Sequence, residues 1–157
     1  MSFYALSAAS LDATPANLAA HAGKVTLVVN VASACGLTPQ YEALQKLHRS
    51  RAAKGFAVLA FPSNDFGAQE PGTPAEIRAF CTTKYAVDFP LFAKVQTKAG
   101  AGQSPVYAFL HKATGKLPGW NFGKYLIGRD GNVLGFFEPT VAPDDPALVA
   151  AIDRALG

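Results

Sequence analysis

Apolar residues recur along this chain in two alternating rhythms, one of strands and one of helices. From Lys24 to Val31 the run Lys-Val-Thr-Leu-Val-Val-Asn-Val is almost continuously apolar and β-branched. That is the pattern of a strand buried on both faces of a parallel sheet. Ala32 to Leu37 is small and contains glycine, and Thr38-Pro39 predicts a helix start with Thr38 as N-cap and Pro39 at the first helical position. Tyr41, Leu44, Leu47 and the stem of Arg51 follow at helical spacing. Gly55 then ends the helix, and Phe56 to Phe61 is a second buried strand. Together these segments predict one βαβ unit of the usual right hand.

The second half continues the alternation. Thr73-Pro74-Ala75-Glu76 is a capping box with proline at the first helical position, and Ile77, Phe80 and Cys81 share one face of the helix it begins. Phe89 to Phe92 predicts a short extended segment. Ser104-Pro105 opens another helix, with Val106, Phe109 and Leu110 inward and Gly115 past its end. Lys124 to Gly128 and Asn132 to Phe137 flank Arg129-Asp130-Gly131 and predict a β-hairpin. Asp145-Pro146 starts a last helix through Leu148, Ile152 and Leu156. A βαβ unit, further helix, a hairpin and a terminal helix predict an α/β thioredoxin-like fold, a central mixed sheet flanked by helices.

Composition sharpens the picture in three ways. At 157 residues, half of them hydrophobic and 16% charged, the chain is expected to be one ordered domain spanning 1–157. The net charge of +3 is dispersed, and its densest group, Lys46, Arg49, Arg51 and Lys54, reads as a solvated helix face rather than a nucleic-acid footprint. Met1 to Ala22 lacks Lys and Arg and is interrupted by Asp12, which argues against a secretory signal. No segment approaches the roughly 20 apolar residues of a membrane span. A reducing, cytoplasmic setting is therefore expected, where two cysteines suit thiol chemistry better than a permanent staple.

Cys35 falls in the turn between a buried strand and a helix start, where backbone N–H groups and the helix dipole favour a thiolate. The competing reading is a small buried core thiol. Thr38 stands where a thioredoxin carries its second cysteine, so a CxxC reductase is disfavoured. No Gly-x-Ser-x-Gly elbow is present, and Gly119 to Lys124 is one residue short of a phosphate loop. His21, His48 and His111 are scattered without metal-ligand spacing, so neither metal nor cofactor is expected.

Three longer stretches carry a family resemblance. Asn30-Val-Ala-Ser-Ala-Cys-Gly-Leu-Thr-Pro-Gln-Tyr41 resembles the peroxidatic motif of glutathione peroxidases. Phe61-Pro-Ser-Asn-Asp-Phe-Gly-Ala-Gln-Glu-Pro-Gly72 is similar to their second motif, and Trp120-Asn121-Phe122 with Lys124 and Tyr125 to their third. The resemblance implies that Cys35 attacks the peroxide and that Gln69, Trp120 and Asn121 complete a catalytic tetrad. It implies a hydroperoxide substrate and thioredoxin or glutathione as reductant. Lowering a thiol's pKa raises its thiolate fraction but costs nucleophilicity by a similar factor. Fast peroxide reduction therefore needs donors that stabilise charge as the O–O bond breaks, and those three side chains supply neutral N–H groups.

Attack leaves a sulfenic acid that a second thiol must resolve. Cys81 shares a face with Ile77 and Phe80, as a core residue would. Its Phe-Cys-x-x-x-Tyr context nevertheless resembles the resolving cysteine of the thioredoxin-dependent members. Several positions depart from the family pattern. Ser63 stands where many relatives have another cysteine, Asp65 replaces a commoner glutamine, and Gly135-Phe136 replaces a basic pair that would favour anionic glutathione. The short run Gly115 to Gly119 lacks the extra loop of tetrameric relatives and predicts a monomer. A peroxiredoxin is disfavoured by Ala32, three residues before Cys35, where that family has threonine. A one-cysteine peroxidase reduced by glutathione, a peroxide-sensing disulfide relay and a redox-inert binding module remain as alternatives.

Overall fold

The computed structural model describes residues 1–157. A 3₁₀ turn at Phe3–Ala5 leads into two short antiparallel strands, β1 (Ser7–Ala9) and β2 (Pro15–Asn17). Then come β3 (Val25–Val31), α1 (Gln40–Arg51), β4 (Phe56–Pro62), α2 (Pro74–Tyr85), α3 (Pro105–Thr114), β5 (Lys124–Ile127), β6 (Val133–Phe137) and α4 (Pro146–Leu156). The main sheet has the order β4-β3-β5-β6; β3 runs parallel to β4 and antiparallel to β5, and β5 to β6 is the expected hairpin.

Every residue of β3 and of β4 is buried, as their unbroken apolar runs require, because both sheet faces are covered. Val25, Leu27, Val29 and Val31 point into one core with Leu44 and Leu47 of α1, Ile77 of α2, and Leu148 and Ile152 of α4. Val28, Leu59 and Phe61 point the other way, against Val106, Tyr107 and Leu110 of α3 and Phe3, Tyr4 and Leu18 of the N-terminal segment. Each aliphatic side chain so buried stabilises the fold by roughly 1.5–3 kcal/mol. A two-pronged Arg51–Asp153 pair, 2.8 and 3.2 Å, joins α1 to α4 across the outer surface.

The capping box at Thr73 is fully formed: its hydroxyl accepts from the Glu76 N–H at 3.2 Å, and the Glu76 carboxylate accepts from the Thr73 N–H at 2.9 Å. At α1 the structure corrects the sequence reading. The helix begins at Gln40 with Pro39 as its cap and no side-chain capping bond. The Thr38 hydroxyl faces backward instead, donating to the Ala32 carbonyl at 2.8 Å and accepting from the Cys35 N–H at 2.9 Å. A turn around the cysteine competes for the hydroxyl and wins it. Phe89 to Phe92 is extended but not a full strand: Leu91 bridges to Ala60 of β4 and Phe92 to Ser10.

The pairing registers place the chemistry at one edge. Val31 lies opposite Pro62, so the Cys35 and Ser63 loops leave the parallel pair at the same carboxyl end. Val29 lies opposite Lys124, which brings the segment entering β5, Trp120 to Gly123, to that end as well.

Candidate active site

Cys35 is 8% exposed at the tip of this edge, and its turn is held from within. The Thr38 N–H donates to the Cys35 carbonyl at 3.0 Å, and the Leu37 N–H donates to Cys35 Sγ at 3.3 Å. The sulfur therefore faces a backbone N–H from the turn that leads into α1. The second motif is stitched to the same turn. The Ala34 N–H donates to the Gln69 carbonyl at 3.0 Å, and the Ser33 N–H donates to Glu70 Oε1 at 3.2 Å.

The second and third motifs meet through their side chains. Asn121 Nδ2 donates to Gln69 Oε1 at 3.0 Å, which fixes the Gln69 amide with its own N–H groups free. The Trp120 ring packs 5.7 Å from that of Phe66 and remains 39% exposed. Gly67 has a φ of +71°, and a Cβ there would lie 3.3 Å from both Trp120 Cη2 and Gln69 Cγ. Glycine thus supplies both the left-handed turn and the space beneath the indole. Asn30, at the end of β3, grips the third motif: its side-chain amide donates to the Trp120 carbonyl at 3.0 Å, and its own carbonyl accepts from the Phe122 N–H at 2.6 Å. Phe122 itself sits at a φ of 70°.

Gln69, Trp120 and Asn121 thus converge beside the Cys35 turn, and the hydrogen bond to Sγ comes from Leu37 rather than from any of the three. Such bonds commonly tighten only when a substrate is bound. Cys81 lies fully buried on α2 in the same apolar core as Cys35, and both cysteines are free thiols. Burial pushes the Cys81 thiol up from its ordinary value. Asp65 is a staple of the second motif: its carboxylate accepts from the Thr97 hydroxyl at 2.9 Å and the Lys98 N–H at 3.1 Å. Ser63, buried behind it, accepts from the Asp65 N–H at 3.2 Å.

Residues 3–111, which include the first two motifs, match the family described as glutathione peroxidase. The chain belongs to the glutathione peroxidase family. It is a thiol peroxidase acting on hydroperoxides. It is 52% identical over 148 residues to the hydroperoxy fatty acid reductase Gpx2 of Synechocystis sp., covering 94% of this chain and 95% of the relative. It is 40% identical over 170 residues to the thioredoxin/glutathione peroxidase BtuE of Escherichia coli, covering 93% and 92%. A crystal structure of a thiol:disulfide interchange protein of the thioredoxin family from Chlorobium tepidum superposes with a TM-score of 0.71 at 18% identity, covering 97% of this chain and 93% of that one. That likeness shows the thioredoxin-like fold alone.

Glu70, Asn30 and Thr38 hold the family's motifs together, and sequence reasoning assigned no role to the first two. A carboxyl set among Gly, Ala and Pro in the second motif, and an asparagine inside an otherwise apolar strand, were the available signals.

Proposed function

We propose that this peroxidase reduces hydrogen peroxide and organic or lipid hydroperoxides through Cys35, resolves the product with Cys81 and is regenerated by thioredoxin. The reading rests on one observation above all: three loops meet at one sheet edge with a thiol at its tip and the Gln69–Asn121 pair beside it. The Cys35 thiolate attacks the terminal oxygen of ROOH, the O–O bond breaks as that OH passes to sulfur to form a sulfenic acid, and the departing RO⁻ takes up the proton the thiol had released and leaves as ROH. The Gln69 amide, held in place by Asn121, and the indole N–H of Trp120 stabilise the oxygen that leaves as charge builds on it. Trp120 and Phe66 form an apolar, partly exposed rim that suits a bulky organic peroxide. The name of the Synechocystis relative, a hydroperoxy fatty acid reductase, supports that choice.

Cys81 then displaces the sulfenic oxygen as water, giving a Cys35–Cys81 disulfide. Gly135-Phe136 offers no basic pair for an anionic tripeptide, which favours a protein reductant, and the BtuE name includes thioredoxin. The catalyst is a monomeric single domain in a reducing cytoplasm.

Side-by-side turnover with thioredoxin and with glutathione, with mass spectrometry after one equivalent of peroxide, tests the scheme. Cys35→Ser is expected to abolish turnover, and activity within tenfold of wild type overturns the assignment of the nucleophile. Cys81→Ser is expected to keep the first oxidation and lose thioredoxin-supported turnover. A wild type that yields only sulfenic acid or a glutathione adduct makes the enzyme a one-cysteine peroxidase. Stoichiometric transfer of oxidation to one partner without turnover makes it a relay.

A further inference from the structure

Phe122 directly follows the Trp120-Asn121 pair, and it is the one aromatic residue of the chain with left-handed backbone, at a φ of 70°. Bulky side chains seldom adopt that conformation, and it persists only where the surroundings over-determine it. Glycine, which takes such a turn at Gly67, would forfeit the packing here. The Phe122 ring is fully buried and meets the fully buried Tyr41 of α1 edge-on at 5.5 Å. Both polar groups of the strained residue are held: its N–H donates to the Asn30 carbonyl at 2.6 Å, and its carbonyl accepts from Lys124 Nζ at 2.6 Å. Lysine is almost never fully buried without a paired charge, yet Lys124 is, and no carboxylate pairs with it. Nζ also donates to the Pro139 carbonyl at 3.2 Å, but that carbonyl already accepts from Gln40, the first residue of α1, at 2.8 Å. The Phe122 carbonyl has Lys124 alone.

We infer that Lys124 is a positioning residue for the peroxidatic step, holding the Phe122 peptide in the left-handed turn that sets Trp120 and Asn121 beside the Cys35 turn. The role rests on the reading of Gln69 and Trp120 as donors given above. Without the lysine, the Phe122 carbonyl is an acceptor with no donor in a place sealed from water, and relief of that cost rotates the strained peptide. The rotation reaches Asn121 next in the chain, whose Nδ2 fixes Gln69 Oε1 at 3.0 Å, and then Trp120, whose carbonyl Asn30 holds at 3.0 Å. Donors that stabilise a leaving oxygen act by being preorganised, so a small misplacement costs a large factor in rate. Pro139 extends the clamp to Gln40 and so fixes the third motif against the helix that follows Cys35. Packing alone does not call for lysine, because a methionine of similar length would fill the space without burying a charge.

The test uses the full-length reduced protein at pH 6, below the lysine's pKa of about 7. Quenched-flow mass spectrometry measures two rates at Cys35, oxidation by hydrogen peroxide and alkylation by iodoacetamide. Both reactions need an accessible thiolate, but only the first breaks an O–O bond and draws on the donors. Their ratio therefore reports donor placement and is blind to a general change in the thiol. Lys124→Met is expected to lower the ratio at least tenfold while alkylation stays within twofold of wild type. A ratio within twofold of wild type overturns the role of Lys124, and so does an equal fall in both rates, which would mark a disturbed cysteine turn instead. Gln69→Ala and Trp120→Phe are run alongside, and a ratio unmoved in both removes the donor reading itself. Should Lys124→Met fail to fold, Lys124→Gln, shorter and uncharged, is held to the same limits.

Discussion

Lys124 is fully buried, and its Nζ donates to the carbonyls of Phe122 at 2.6 Å and Pro139 at 3.2 Å; no carboxylate pairs with it. The Pro139 carbonyl also accepts from the Gln40 side chain at 2.8 Å, so this one ammonium links the third motif to the start of α1. Burial lowers the Lys124 pKa from 10.5 to about 7. The sign of its effect on stability follows by linkage. The unfolded chain keeps the proton up to its ordinary pKa, while the folded protein has lost it from about pH 7 upward. Stability therefore rises with pH between these values, and below them the buried ammonium lowers it by a constant amount that no longer changes with pH. Relative to Lys124→Met, the wild type is expected to gain up to about 1.4 kcal/mol per pH unit from pH 7 to 10 in urea titrations. A flat difference would mean that the two carbonyls hold the ammonium charged through neutral pH.

At the scale of elements, the proposed resolution by Cys81 bears on α2. Cys81 is buried within it, and a disulfide needs Cα atoms within about 7 Å with suitably directed side chains. A bridge closing so long a loop stabilises against the unfolded chain by about 4 kcal/mol in the chain-entropy account, less whatever helix packing it forfeits. If α2 loosens to let Cys81 travel, its N-terminal capping box sets part of the barrier. Thr73→Ala removes that cap at a cost of about 1 kcal/mol. It is expected to speed disulfide formation roughly fivefold, since 1.4 kcal/mol is tenfold, without changing the oxidation of Cys35. Raised hydrogen exchange across 73–85 in the oxidised protein is the accompanying signature. A slower or unchanged disulfide step in Thr73→Ala would place the motion elsewhere.

At the scale of the molecule, the sheet ends in two different ways. The outer side of β4 is partly covered, since Leu91 bridges to Ala60, whereas β6 is a free edge carrying Leu134 at 54% exposure. An open edge is a potential pairing site for another copy. Against it stand the brevity of β6, five residues, and the register shift between Leu126 and Ile127 in the neighbouring strand. Sedimentation at about 100 μM is expected to give a single species near 16.4 kDa, reduced or oxidised. A dimer abolished by Leu134→Lys would show that β6 does pair between copies.

Much of the fold was legible because its signals are local. The β-branched runs of β3 and β4, the Thr73 capping box, the Asp-Gly turn and the Asp145-Pro146 start each decide a conformation within a few residues. The roles proposed for Gln69, Trp120, Asn121 and Cys81 come only from the family's motifs, since no short-range rule separates such an asparagine from a turn asparagine. β1 and β2 were not legible, being three residues each of Ser, Ala, Pro and Asn without alternation. They form because Leu11 and Ala93 find backbone partners in Leu91 and Ala9, far apart in sequence. The Thr38 hydroxyl follows the same logic, since a local rule makes it a cap and the cysteine turn takes it. The sequence by itself determined the long buried strands β3 and β4, the capped helices, the β5–β6 hairpin and which thiol sits at a strand-to-helix turn. Only the tertiary structure decided that Glu70, Tyr41 and Lys124 would be sealed from water, because burial depends on what the distant chain lays over a side chain.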